Sequence, residues 1–213
     1  MFSGIIEAVG TVSRVDRRGG GVALALRVPE SLRGLAPGSS VAVNGTCLTV
    51  VKAEGDTLTF DAVGATMTRT LLGSIEPGAR LNLERSLKLG APVDGHLVTG
   101  HVDGIGTVEA RRPGDGAIYF DIRVPEDLAS QIAPRGSIAV DGVSLTVAEV
   151  RGLVFTVSIV PYTIKETILG DYRPGRRVHL ETDVLAKYVV RALNAEEGRR
   201  GLAAWLAETE KTS

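Results

Sequence analysis

The chain has one cysteine, Cys47, one tryptophan, three histidines and only 4% aromatic residues in 213. A single cysteine excludes an internal disulfide and fits a reducing cytoplasm. One cysteine and three histidines are a poor ligand supply for zinc, so no metal is expected. Neither sign of charge dominates: 24 Lys and Arg against 25 Asp and Glu leave a net charge of −1. That balance excludes the basic footprint of a nucleic-acid binder and gives no attraction to an anionic membrane. No apolar run approaches the roughly 18–20 residues that a membrane span requires. Met1-Phe2-Ser3-Gly4 lacks the basic stretch and apolar core of a signal peptide, and a cytoplasmic location is expected. Familiar catalytic signatures are missing too. There is no phosphate-cradling Gly-rich loop, no Gly-x-Ser-x-Gly elbow and no His-Glu-x-x-His.

What the chain does have is glycine, 26 residues of it, and repetition. Gly4-Ile5-Ile6-Glu7-Ala8-Val9-Gly10-Thr11-Val12 returns as Gly100-His101-Val102-Asp103-Gly104-Ile105-Gly106-Thr107-Val108, an offset of 96. Ser40-Val41-Ala42-Val43-Asn44-Gly45-Thr46-Cys47-Leu48-Thr49-Val50 returns, at 97, as Ser137-Ile138-Ala139-Val140-Asp141-Gly142-Val143-Ser144-Leu145-Thr146-Val147. Asn44-Gly45 and Asp141-Gly142 between apolar runs are strong hairpin signals, because both turn residues tolerate positive φ. Short strands at even spacing, closed by Gly-rich turns, predict an all-β chain with a small antiparallel barrel in each half. The expected units are residues 1–97, residues 98–183 and a tail, 184–213. A polar segment is expected from Thr66 to Gly73, and the stretch holding His96 and His101 reads as strand-like.

The tail has no counterpart in the first repeat. Val184, Leu185, Tyr188, Val189, Ala192 and Leu193 form an apolar stripe at helical spacing, with Asp183 placed to cap it. Leu202-Ala203-Ala204-Trp205-Leu206 forms a second short apolar segment. The stripe must be buried, either on its own barrel or in an oligomer interface.

Chemistry is sought where the repeats differ. Ile5 becomes His101, Cys47 becomes Ser144, and Ser86 becomes Asp183. Each has a plain structural account: Cys47 as a small core residue, Asp183 as a helix cap, His101 as a hydrogen-bonded turn residue. That all three differences involve polar or ionisable groups favours a shared site. His179 matches Asn82 and reads as a strand residue without a role.

Four separated motifs in register make the chain resemble a known family. They are Met1-Phe2-Ser3-Gly4-Ile5-Ile6-Glu7, Asn44-Gly45-Thr46-Cys47-Leu48-Thr49-Val50, Gly95-His96-Leu97-Val98-Thr99-Gly100-His101-Val102-Asp103 and Asp141-Gly142-Val143-Ser144-Leu145-Thr146-Val147. The family is riboflavin synthase of the alpha-chain type, with two lumazine-binding repeats. The resemblance implies two tandem six-stranded Greek-key β-barrels followed by a C-terminal α-helix that assembles a homotrimer. It implies dismutation of two 6,7-dimethyl-8-ribityllumazine molecules to riboflavin and 5-amino-6-(ribitylamino)uracil by transfer of a four-carbon unit, with no cofactor. The working site would lie between the N-barrel of one subunit and the C-barrel of its neighbour. Whether lumazine synthase associates with it stays open.

Carried over residue by residue, the resemblance implies an N-half pocket of Gly4, Ile5, Ile6, Ser40, Cys47, Leu48 and Thr49. The loop Asp61, Ala62, Val63, Gly64, Ala65 and Thr66 would complete it. The C-half pocket would use Gly100, His101, Val102, Ser144, Leu145 and Thr146, with Val160, Pro161, Tyr162, Thr163, Ile164 and Lys165. Thr49, Thr66, Thr146 and Thr163 would bind ribityl hydroxyls, and Arg135, standing where relatives often have lysine, would bring a cation to the ligand. His101 is the first choice for proton transfer. Cys47 and Ser40 would act on the acceptor, directly or through water, with Ser144 their counterpart in the second half. Asp183 would orient a partner or the substrate, and His96 and Phe2 would shape the site. A competing reading is a lumazine or flavin carrier without catalysis. A flavin-dependent reductase would need a nucleotide-binding α/β domain, for which the chain has no fingerprint, and a purely structural trimer leaves the polar differences unexplained.

Overall fold

A computed structural model describes residues 1–194, apart from the side chain of Ala65. The segment Leu202 to Leu206 lies outside the described residues. Strands β1 (Ala8–Arg18), β2 (Gly21–Arg27), β3 (Ser40–Val43), β4 (Thr46–Glu54), β5 (Thr57–Ala62) and β6 (Arg80–Arg85) close one antiparallel barrel. Its order is β1-β2-β5-β4-β3-β6, a Greek-key path. Strands β7 (Gly104–Gly114), β8 (Ala117–Arg123), β9 (Ser137–Val140), β10 (Val143–Arg151), β11 (Val154–Ile159) and β12 (Arg177–Thr182) repeat the same order in a second barrel. The expected all-β pair of six-stranded barrels is what forms.

Alternation builds each core. In β4, Leu48 and Val50 point inward while Thr49 faces out, and Leu145, Thr146 and Val147 do the same in β10. Leu24, Leu26, Val41, Val43, Phe60 and Leu83 fill the first barrel. Phe120, Ile122, Ile138, Val140, Val157 and Leu180 fill the second. The hairpins turn at Asn44 and Asp141, both with φ near +45°, as two-residue turns require. The duplication extends to irregularities, since β1 and β7 carry the same bulge between Val12/Arg14 and Val108/Ala110.

The polar segment from Thr66 to Gly73 is occupied by helix α1 (Ala65–Arg69) and a 3-10 turn (Leu72–Ser74). The counterpart of α1 is α3 (Pro161–Glu166), with proline at its first position, where no N–H is needed, while α2 (Glu126–Ala129) matches the 3-10 turn Glu30–Leu32 of the first repeat. The strand-like expectation for the stretch from His96 to His101 is corrected: it belongs to no barrel strand and crosses between the barrels, with one isolated bridge, Phe2–Val98, outside the named strands.

The tail begins as helix α4 (Val184–Asn194). Asp183 Oδ1 accepts the Leu185 N–H at 2.9 Å, the expected cap. Lys187 binds Asp103 at 2.7 Å and ties the helix to the start of β7. None of its residues is buried, and Leu185, Tyr188 and Val189 are 68%, 73% and 57% exposed. The stripe therefore does not pack back on its own barrel. Among the described residues no helix is long and apolar enough to cross a membrane.

Candidate active site

Each repeat opens with a segment that leaves its own barrel. Gly4, Ile5 and Ile6 precede β1, yet Ser144 N–H of β10 donates to Gly4 O at 2.8 Å, and Ile6 packs on the second barrel's core. Gly100, His101 and Val102 precede β7, yet Cys47 N–H of β4 donates to Gly100 O at 2.8 Å. This corrects the grouping by repeat: Gly4 to Ile6 belong with Ser144, and Gly100 to Val102 with Cys47. The contact is so close that only glycine fits. A Cβ on Gly100 would lie 2.5 Å from Cys47 Cβ, one on Gly4 2.6 Å from Ser144 Cβ, and both positions have φ near +80°.

Two buried carboxylates hold the crossing segments. Glu84 of β6 accepts from Ser3 N–H (2.6 Å), Ser3 Oγ (2.7 Å) and Gly4 N–H (3.0 Å). Glu181 of β12 accepts from Thr99 N–H (2.6 Å), Thr99 Oγ1 (2.7 Å) and Gly100 N–H (2.9 Å). Burial pushes the Glu84 carboxyl up from its ordinary value, against the three hydrogen bonds, which favour the charged form.

On the first side, Cys47, Thr66, Gly100, His101 and Val102 line a cavity of about 170 Å³, joined by Thr46, Arg69 and Thr70. Here a half-buried thiol and an exposed imidazole share one wall. Ser40 pairs with Thr49 across the β3–β4 ladder, outside that lining. Asp61 and Val63 line a different hollow beside Arg14, Asp16 and Arg18. Leu48, Ala62 and Leu145 lie in the barrel cores, so a ligand would meet their backbones alone.

The second side is built differently. Ser144 Oγ is 2.7 Å from His96 Nδ1, and His96 N–H donates to Ser3 O at 3.1 Å. Burial holds the His96 imidazole below the ordinary histidine value, with the charge of Asp183 pulling the other way. Its Nε2 is buried and unpartnered among the described residues. Phe2 is fully buried between the barrels with Ala42, Val98 and Ala139, against Cys47, so it shapes the site by packing. Pro161, Tyr162, Thr163, Ile164 and Lys165 form α3 directly after Val160; Tyr162 is 75% exposed while Ile164 packs on the core. Arg135 takes φ +66° where the first repeat has Gly38, an uncommon backbone for a bulky residue. Among the described residues no group of three His, Cys, Asp or Glu could hold a metal ion.

Comparison with known proteins bears on this arrangement directly. The lumazine binding domain model matches twice, over residues 3–86 and 99–183. Riboflavin synthase from Mycobacterium bovis is 42% identical over 200 residues, covering 92% of this chain and 99% of its own. Riboflavin synthase from Actinobacillus pleuropneumoniae is 37% identical over 189 residues, covering 89% and 88%. The chain belongs to the riboflavin synthase family. Among solved structures, LumP complexed with riboflavin superposes with a TM-score of 0.81 at 26% identity, covering 85% of this chain and 99% of that one. LumP complexed with 6,7-dimethyl-8-(1'-D-ribityl) lumazine gives 0.78 at 25%, with the same coverage.

For a riboflavin synthase family member, three elements of the site lie outside what the sequence suggested. Glu84 and Glu181 end Leu-Asn-Leu-Glu and Leu-Glu patterns that look like ordinary strand faces. Arg69 joins the His101 cavity because α1 brings it there. His179 is part of the joint between barrels: Leu71 N–H donates to its Nε2 at 2.7 Å and its Nδ1–H donates to Asn44 O at 2.7 Å. Its counterpart Asn82 does the same in reverse, donating to Asp141 O at 3.0 Å and accepting from Ile168 N–H at 2.9 Å. The signal available was the offset itself, which pairs Asn82 with His179 and Glu84 with Glu181.

Proposed function

We infer that the chain converts two molecules of 6,7-dimethyl-8-ribityllumazine to riboflavin and 5-amino-6-(ribitylamino)uracil by moving a four-carbon unit between them. The two products together contain every atom of the two substrates, so no oxidant or reductant enters. The observation that carries this reading is a duplicated barrel whose two crossing points differ in chemistry: Cys47 with His101 on one side, Ser144 with Ile5 and His96 on the other. Two similar pockets suit two identical substrates, and different polar groups suit a donor and an acceptor.

In this reading His101 moves the proton at the 7-methyl group of one lumazine, since imidazole is matched to neutral pH. Cys47 and Ser40 act on the acceptor, and Ser144, held by His96, is their counterpart. Thr49 and Thr146 face outward on matching strands and, with Thr66 and Thr163, supply hydroxyls for the ribityl chains. A cavity of about 170 Å³ is below the roughly 300 Å³ at which small-molecule sites begin, so a neighbouring subunit supplies the missing wall. The exposed apolar face of α4 suits assembly of that homotrimer. The same reading places the reaction in the cytoplasm, where the Cys47 thiol stays reduced.

The test is incubation of the purified protein with 6,7-dimethyl-8-ribityllumazine, without added cofactor or metal. One riboflavin per two lumazines consumed, with the aminouracil recovered, is the expected result. A tight fluorescent complex that forms no riboflavin would instead mean a carrier. No binding would overturn both.

A further inference from the structure

We infer that Glu181 is a positioning residue: its carboxylate sets His101 against the Cys47 pocket and so controls turnover from the other barrel. The inference rests on the reading of His101 as the proton carrier. Three observations support it. Glu181 is 3% exposed, and among the described residues it has no ion-pair partner. A carboxyl group buried without a cation is costly to keep, and simple packing would be served by an apolar side chain. Its donors are consecutive groups of one short stretch, Thr99 N–H, Thr99 Oγ1 and Gly100 N–H. That stretch belongs to no strand and would otherwise have few fixed bonds.

The relay continues to the pocket on both sides of Gly100. Thr99 Oγ1, while donating to Glu181, accepts from His101 N–H at 3.3 Å. Gly100 O accepts from Cys47 N–H at 2.8 Å. The backbone carrying His101 is thus fixed at one end to β12 of the second barrel and at the other to β4 of the first. Reacting groups need placement within a fraction of an ångström, and a misplacement of about 1 Å can cost about 10²-fold in rate. Glu84 provides an internal control. It makes the same three bonds to Ser3 and Gly4 and passes one on, from Ile5 N–H to Ser3 Oγ at 3.4 Å, but the residue it positions is Ile5.

The experiment compares E181Q with E84Q in the full chain. Glutamine keeps the volume but turns one acceptor oxygen into a donor that faces an N–H or O–H. Both variants should lose similar thermal stability. E181Q should lower kcat by about 10- to 100-fold with little change in KM, and on an H101Q background it should add less than about twofold. E84Q should combine multiplicatively with H101Q. Cys47, the chain's single cysteine, gives a readout apart from activity. Its alkylation by a small maleimide should speed up at least about fivefold in E181Q and stay unchanged in E84Q, because the Gly100 contact loosens only in the former. Should E181Q not fold, T99V removes the same relay atom and should show the same non-additivity. Unchanged Cys47 reactivity, or a full multiplicative loss with H101Q, would overturn the proposal. Faster alkylation with an undiminished kcat would likewise overturn the proposal, leaving Glu181 a clamp without control of turnover, while a kcat unchanged in H101Q alone would strike out His101 as the proton carrier.

Discussion

The two barrels share strand order, register, bulges, hairpin turns and even the buried glutamate that clamps a crossing segment. They differ where the crossings meet the barrel mouths. Cys47 faces a crossing that carries His101, whereas Ser144 faces one that carries Ile5 and takes a hydrogen bond with His96 instead. Duplication therefore supplies the scaffold twice, and the proposed chemistry lives in the few positions that have drifted apart. A scaffold change should hurt both halves alike, and a change at a divergent position should not.

The largest break in that comparison is expected at His101. H101Q should lower turnover by about 10²–10⁴-fold with the fold intact, the usual contribution of a positioned acid–base group. Ile5→Gln, at the matched position, should raise KM more than it lowers kcat, since no proton passes there. Steady-state riboflavin formation by both variants checks this. Equal losses in kcat would mean that the halves work symmetrically.

The joint between the barrels should behave in the opposite way. His179→Ala strands the Leu71 N–H and Asn44 C=O, and Asn82→Ala strands the Ile168 N–H and Asp141 C=O. Two backbone groups left without partners cost about 2–6 kcal/mol where buried, and less for the part-buried Leu71 N–H. The two variants should lose similar stability in denaturant titrations, despite removing different side chains. His179→Asn, which restores the first repeat's residue, should cost less than His179→Ala. A large loss from one variant alone would show that the joint is not symmetric.

The repeat, both barrels and the hairpins were legible because turn residues and apolar alternation report on short-range geometry. The crossing was not. Gly4 to Ile6 and Gly100 to Val102 are interchangeable under the offset, so pairing each with its own barrel or with the other is equally consistent with the sequence. Glu84 and Glu181 were hidden for a related reason. Along β6, residues Leu81 to Glu84 are all buried, so alternation fails there: the inner face meets the core and the outer face is covered by a crossing segment and the other barrel. A strand covered on both faces by parts distant in sequence leaves its polar residues looking solvent-facing. His101 and Cys47 could be found because they break the repeat. His179 also breaks it, but its bonds run to backbone groups that no side-chain pattern marks.

The smallest effect should come from His96, and it sharpens the comparison because, among the described residues, only the second side has such a group. Burial favours its neutral form, so its folded pKa lies below the ordinary histidine value of 6.5. Between the folded value and 6.5 the unfolded chain holds the extra proton. Stability contributed by neutral His96 is thus fully present above 6.5 and is lost as pH falls through the folded pKa. Melting curves across that acid window should show a decline of no more than a few degrees, and His96→Gln should flatten it. Asp183 pulls the other way, since its charge favours the imidazolium. Asp183→Asn keeps an effective helix cap while removing the charge, so it should push the folded His96 value lower still and widen the window. If Asp183→Asn instead narrowed it, the acid loss would belong to another group.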